Sequence, residues 1–147
     1  MKNLFKTFCN KLEFFSVKFQ DLSLLFLRLI LAYGFFSPAV SKWNDIEAVA
    51  NWFQSMGYPF PHFNAYLVAT VEAIGVILLL LGLGTRLISF LLIFVMFVAI
   101  TTVHLKSGFD VSGNGFEIPL YYALMLFVLF TYGSGKYAVD YFLKKNS

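Results

Sequence analysis

The sequence describes an all-α integral membrane four-helix bundle with both termini cytoplasmic and an N-terminal interfacial amphipathic helix. Three observations lead there. Four apolar stretches, at 22–41, 63–83, 87–105 and 118–132, lie near the length of about 17 to 25 residues that crosses a bilayer core. The composition is 59% hydrophobic and only 13% charged, with 19 phenylalanines in 147 residues, which is more apolar surface than a soluble domain of this size can hide. The cations fall almost wholly in segments that one membrane face would share.

Taken in order, residues 1–20 place Leu4, Phe5, Phe8, Leu12, Phe15 and Phe19 on one helical stripe, with Lys2, Lys6 and Glu13 opposite. Such a segment is expected to lie on the inner membrane surface. No compact apolar core followed by small residues opens the chain, so the first span is expected to act as an uncleaved insertion signal. Residues 21–140 form the membrane domain, and 141–147 are read as a cytoplasmic tail. Lipid offers the backbone no hydrogen bonds, so runs this long are helices.

Lys2, Lys6, Lys11 and Lys18 precede the first span, Arg86 lies in the turn after the second, and Lys136, Lys144 and Lys145 follow the fourth. The opposite face carries Lys42 and Lys106, beside Asp45, Glu47 and Asp110. The positive-inside rule therefore puts both termini in the cytoplasm. The net charge of +3 is accounted for by topology and anionic headgroups, with no nucleic-acid partner.

Between the first two spans, Ile46, Val49, Ala50, Phe53 and Met56 recur at helical spacing beside Trp43 and Trp52, which predicts a short outer interfacial helix. The run 56–61 then breaks it, and Gly82 to Arg86 closes an antiparallel hairpin. In the outer loop 107–116, Asp110, Ser112, Asn114 and Gly115 match the opening of a calcium-binding loop, but Tyr121 stands where the closing Glu is needed. The loop is read as a turn.

The single cysteine, Cys9, cannot carry the paired-thiol exchange of membrane disulfide oxidoreductases by itself. No His pair sits at helical spacing for a haem or metal, so no metal site is assigned; His104 is the weak candidate for copper or haem, and Met56 and Met96 are read as packing residues. What remains is a set of costly intramembrane polar groups. Arg28 shares a helical face with Ala32, Phe35, Ala39 and Lys42, while Glu72 shares one with Ala65, Ala69 and Val76. Antiparallel packing predicts an Arg28–Glu72 ion pair, with Glu72 serving either as helix register or as a ligand-binding or proton-relay group. Near the outer end, His104, Glu117 and Tyr121, with Lys42, are expected to form a polar pocket able to bind a quinone carbonyl or a small oxyanion.

These residues together resemble the DoxX family. The resemblance rests on Arg28, Gly34 and Lys42-Trp43 in span one, the Gly57-x-Pro59 break, Glu72 followed by Gly75, and the Gly84-Thr85-Arg86 turn. It continues through His104, Gly108, the run from Asn114 to Leu120, and the Gly133-x-Gly135 exit, covering residues 21 to 140. The segment from Asn114 to Tyr122 resembles the HvfX branch in particular. The resemblance implies a multi-pass protein of the bacterial inner membrane, tied in some relatives to thiosulfate-to-quinone electron transfer or to oxidoreductase complexes of the stress response. For the HvfX branch it implies a setting of metal-dependent peptide-modifying enzymes and copper-binding peptides.

Three functions follow. The first is a quinone-interacting or redox-accessory subunit with Glu72, His104, Glu117 and Tyr121 as its site and Arg28 and Lys42 as electrostatic partners. The second is a non-enzymatic partner in copper-peptide maturation, export or copper stress. The third is a small-solute carrier, although no broken helix or inverted repeat points to one. The alanine-rich face of span two leaves a homodimer open.

Overall fold

The computed structural model describes residues 2–145, with side chains described except at 2–5, 7, 8, 10 and 11. The part of the amphipathic pattern at Lys2, Leu4, Phe5 and Phe8 therefore lies outside the described side chains. Among the described residues the chain is helical without strands.

Helix α1 runs unbroken over Lys2–Asn44. The expected separation of a surface helix from the first span near residue 20 does not occur as a break in the backbone. No Pro or Gly interrupts residues 2–33, so nothing in that stretch ends the hydrogen-bond ladder. Asp45 caps the next helix, α2 (Ile46–Ser55), by accepting a 3.0 Å bond from the Ala48 amide.

A turn through Gly57 and Phe60, both at positive φ, delivers the chain to α3 (Pro61–Leu81). The helix starts two residues before the apolar run because Pro61 suits the first helical turn, where its missing N–H costs nothing. It stops at Gly82, whose left-handed φ of 67° ends the helix two residues before the apolar run does.

Helix α4 (Thr85–Ala99) follows at once and gives way to a π-helical turn at Ile100–His104 and a 3₁₀ turn at Leu105–Ser107. A second 3₁₀ turn at Val111–Gly113 occupies the 107–116 loop before α5 (Glu117–Tyr132), and a short α6 (Val139–Lys145) closes the described chain. Three segments, Leu12–Asn44, Pro61–Leu81 and Thr85–Ser107, are long and apolar enough to cross a membrane; Glu117–Tyr132 is apolar but shorter.

Helices α1, α3, α4 and α5 pack in a ring, each against the next, and α2 lies over α3. Lipid tails are as apolar as these side chains, so close packing rather than water exclusion has to hold the ring together. The inward faces meet that need: Leu31, Phe35, Leu79, Leu92, Leu126 and Leu129 are almost fully buried. Small residues bring the helices close. Gly75 receives Leu92 so tightly that a methyl group there would lie 2.9 Å from the Leu92 side chain, and Gly34 forms the notch that seats the Tyr122 ring.

Candidate functional site

The inward faces named from the helical wheel are inward in fact. Arg28, Ala32, Phe35 and Ala39 on α1, and Ala65, Ala69, Glu72 and Val76 on α3, are all buried. Their pairing differs from expectation. Glu72 is met by Lys42, whose Nζ stands 2.7 Å from Oε2, and not by Arg28. One turn along α3, the Trp43 indole donates to the Ala69 carbonyl at 3.2 Å, so adjacent residues of α1 fix the register of the same stretch.

Arg28 instead serves the far end of α3. Its guanidinium donates to the carbonyls of Leu79, at 3.0 Å, and Leu80, at 3.5 Å, and also to that of Tyr137. Leu79 and Leu80 lie in the last turn, where helix carbonyls lack intrahelical partners and carry the negative end of the dipole. Both terminal nitrogens of the buried cation are held there by carbonyls, without a carboxylate contact, while its Nε has no hydrogen-bond partner among the described residues. The glycine at 82 makes the approach possible, since a Cβ there would collide with the guanidinium and with Ala138.

The same end of the bundle is laced by further contacts. The Asp140 carboxylate accepts from the amides of Gly84 and Thr85 at 2.8 and 3.0 Å, capping α4, and interacts electrostatically with Arg28. Arg86 donates to the Thr131 carbonyl in the last turn of α5. Lys136 pairs with Asp21 at 2.9 Å.

At the opposite end, α1 to α5 and the π-helical turn line a cavity of about 290 Å³. Its walls include Gly34, Pro38 and Lys42 of α1, and α2 contributes Trp52 and Phe53. Glu72 reaches it from α3 and Tyr122 from α5, while His104 lines it from the π-helical turn. A π turn widens the backbone by one residue and recurs at functional sites. Here the Leu105 amide donates to the Ile100 carbonyl five residues back, which is the widened register.

Histidine 104 holds a defined tautomer. Its Nδ1 stands 2.8 Å from the Asn114 carbonyl oxygen, which can only accept, so Nδ1 carries the proton and Nε2 of the neutral ring is an acceptor. Asn114 can place that carbonyl because it adopts a left-handed φ of 61°, a conformation asparagine tolerates.

Glu117 and Tyr121 do pair with each other, the phenol donating to Oε1 at 3.0 Å, but neither lines the cavity. The other oxygen of Glu117 accepts the Val111 amide at 3.1 Å, so this carboxylate organises the outer loop. Of the expected outer pocket, His104 and Lys42 thus share the cavity, joined by Glu72, while Glu117 and Tyr121 pair beside the 107–116 loop and Arg28 lies at the other end. The residue that sequence reasoning missed is Tyr122. Its signal was available: Tyr122, Leu126 and Leu129 follow one helical stripe, and the latter two are fully buried.

The 107–116 loop folds as a turn, as expected. Asp110 accepts from the amide and the hydroxyl of Ser112 at 3.0 and 2.8 Å, and these bonds hold its carboxyl below the usual carboxylate range.

Chemically, the cavity offers both kinds of hydrogen-bonding group. Lys42 donates; Glu72 Oε1 and His104 Nε2 have no hydrogen-bond partner among the described residues; and the Tyr122 hydroxyl can do either. Around them the wall is apolar, from Phe35, Val68, Val95, Met96 and Ile118.

Comparison with known proteins agrees with this architecture. An uncharacterised protein of Haemophilus influenzae is 36% identical over 134 residues, covering 86% of each chain. A Bacillus subtilis protein named "Putative oxidoreductase CatD" is 35% identical over 125 residues, covering 85% of this chain and 90% of that one. No solved structure gives a significant match. The DoxX profile matches residues 23–105, which contain Arg28, Lys42, Glu72 and His104, and the chain belongs to the DoxX family.

Proposed function

We propose that this chain is a redox-accessory protein of the bacterial inner membrane, crossing it four times with both termini cytoplasmic, whose cavity at Glu72 binds the head of a membrane quinone. The observation that carries the reading is the mixed polarity of the cavity. A quinone presents two carbonyl acceptors and needs donors, which Lys42 and the Tyr122 hydroxyl supply; the quinol presents two hydroxyl donors and needs acceptors, which Glu72 Oε1 and His104 Nε2 supply. A site with both sets holds both redox forms. Interconversion takes two electrons and two protons. Glu72 and His104 are placed to exchange the protons, and the electrons come from a partner oxidoreductase. The oxidoreductase name of the Bacillus relative is consistent with such a setting.

Trp52 lines the cavity, so a bound quinone should quench its fluorescence. The test titrates a short-tailed quinone into the purified protein in mild detergent, with Trp43→Phe as background. Saturable quenching is expected in that background, weakened at least tenfold by adding Glu72→Gln with His104→Ala. Quenching that never saturates, or that ignores both substitutions, removes the quinone reading.

A further inference from the structure

On the outward side of α3 and α4 a second hollow, of about 440 Å³, lies between Leu67, Val71, Leu91 and Phe94. Phe53, Val68, Val95 and Val98 line both spaces and form their common wall. The two spaces therefore abut across these four side chains, with Lys42, Glu72 and His104 confined to the inner one. We propose that the second hollow binds the polyprenyl tail of the quinone whose head occupies the Glu72 cavity, so that the ligand leaves the ring sideways between α3 and α4. This rests on the quinone reading of the head cavity and adds a tail-binding site to it.

Three features favour an isoprenoid tail over simple contact with bulk lipid. The head cavity, at about 290 Å³, sits at the lower limit of small-molecule sites, which commonly run from about 300 to 1,000 Å³, so an amphiphile longer than its head must extend beyond it. The wall through which it would extend is built from valines and one phenylalanine, with no charge to desolvate. At the rim, which Tyr58 shares, the Asn64 side-chain amide is already engaged, donating to the Pro59 carbonyl at 2.6 Å. Beyond the wall, Leu67, Leu91 and Phe94 are exposed and open the hollow to the bilayer.

The test compares two quinones of identical head, one with a short tail and one with a long polyprenyl tail, each at equal mole fraction in nanodiscs, read by Trp52 quenching in the Trp43→Phe background, which serves as the wild type here. The wild-type chain should hold the long-tailed form at least tenfold more tightly. Leu67→Phe with Leu91→Phe fills the hollow from its lipid-facing side and should reduce that preference to within about twofold, while leaving short-tailed binding unchanged, which also reports an intact fold. Equal affinity of the wild type for both quinones, or a tenfold preference that survives the double substitution, overturns the tail site and leaves the head site standing. Absence of binding by either quinone overturns both.

Discussion

Glu72 and Lys42 are unequal partners. The Glu72 side chain is 4% exposed and the Lys42 side chain 25%, so only the lysine can swing toward water when left alone. Lys42→Met should therefore destabilise by about 2 kcal/mol, because it strands a buried carboxylate. Glu72→Gln should cost less, and in the Lys42→Met background it should recover most of the loss. Thermal unfolding of the four proteins in one detergent gives the cycle, and additive effects would contradict the pairing. The wheel placed Arg28, Lys42 and Glu72 on the correct faces, but a wheel carries no axial offset. Either cation satisfies the pattern. What separated them was the register set by Trp43 on Ala69 and the helix end at Gly82, where carbonyls substitute for a carboxylate. Tyr121 was legible as the Glu117 partner at one-turn spacing, whereas the role of Tyr122 depended on the Gly34 notch across the ring, a contact between distant residues.

Among the elements, α4 depends on a cap that arrives from elsewhere in the chain. Asp140 satisfies two of its first amides, a role normally taken by the residue just before the helix, where Gly84 has no side chain to offer. Asp140→Ala should cost about 1 to 2 kcal/mol and speed exchange of the Gly84 and Thr85 amides, with Asp140→Asn intermediate; hydrogen exchange reads both. The outer loop has an acid limit. Asp110 has its carboxyl held below the unfolded value of about 3.9, so its contribution is complete above that pH and disappears as pH falls through the depressed value. Exchange of the Ser112 amide should accelerate only below about pH 4, and Asp110→Asn should abolish that dependence. Helix ends were readable where Pro61 and Gly82 mark them, but the π turn at Ile100–His104 has no such marker in its sequence, and it is what brings His104 to the cavity.

For the molecule as a whole, the polar groups divide between two ends of one ring: Arg28, Arg86, Asp140 and the Asp21–Lys136 pair at one, and Lys42, Glu72 and His104 at the other. The first set closes helix ends; the second lines a space. The proposed topology puts the first in the cytoplasm. Cys9 is exposed and is the single cysteine, so a membrane-impermeant maleimide should label it in inverted vesicles and spare it in intact spheroplasts. The reverse pattern would invert the proposed orientation. The membrane class was legible from composition alone, because nothing else hides 59% hydrophobic residues. The continuity of α1 was not, since an amphipathic stripe and a spanning stripe follow the same helical period and the chain can pass from one to the other without a break.

The arginine clasp also has a consequence for biosynthesis. Arg28 emerges early, yet its Tyr137 acceptor emerges 109 residues later. At about 5 to 20 residues per second, the nascent chain waits several seconds with that guanidinium only partly satisfied. A ribosome stalled just before that point would release a product whose four ring helices are made but whose ring is unlatched, and a membrane protease could recognise it by that one uncovered charge.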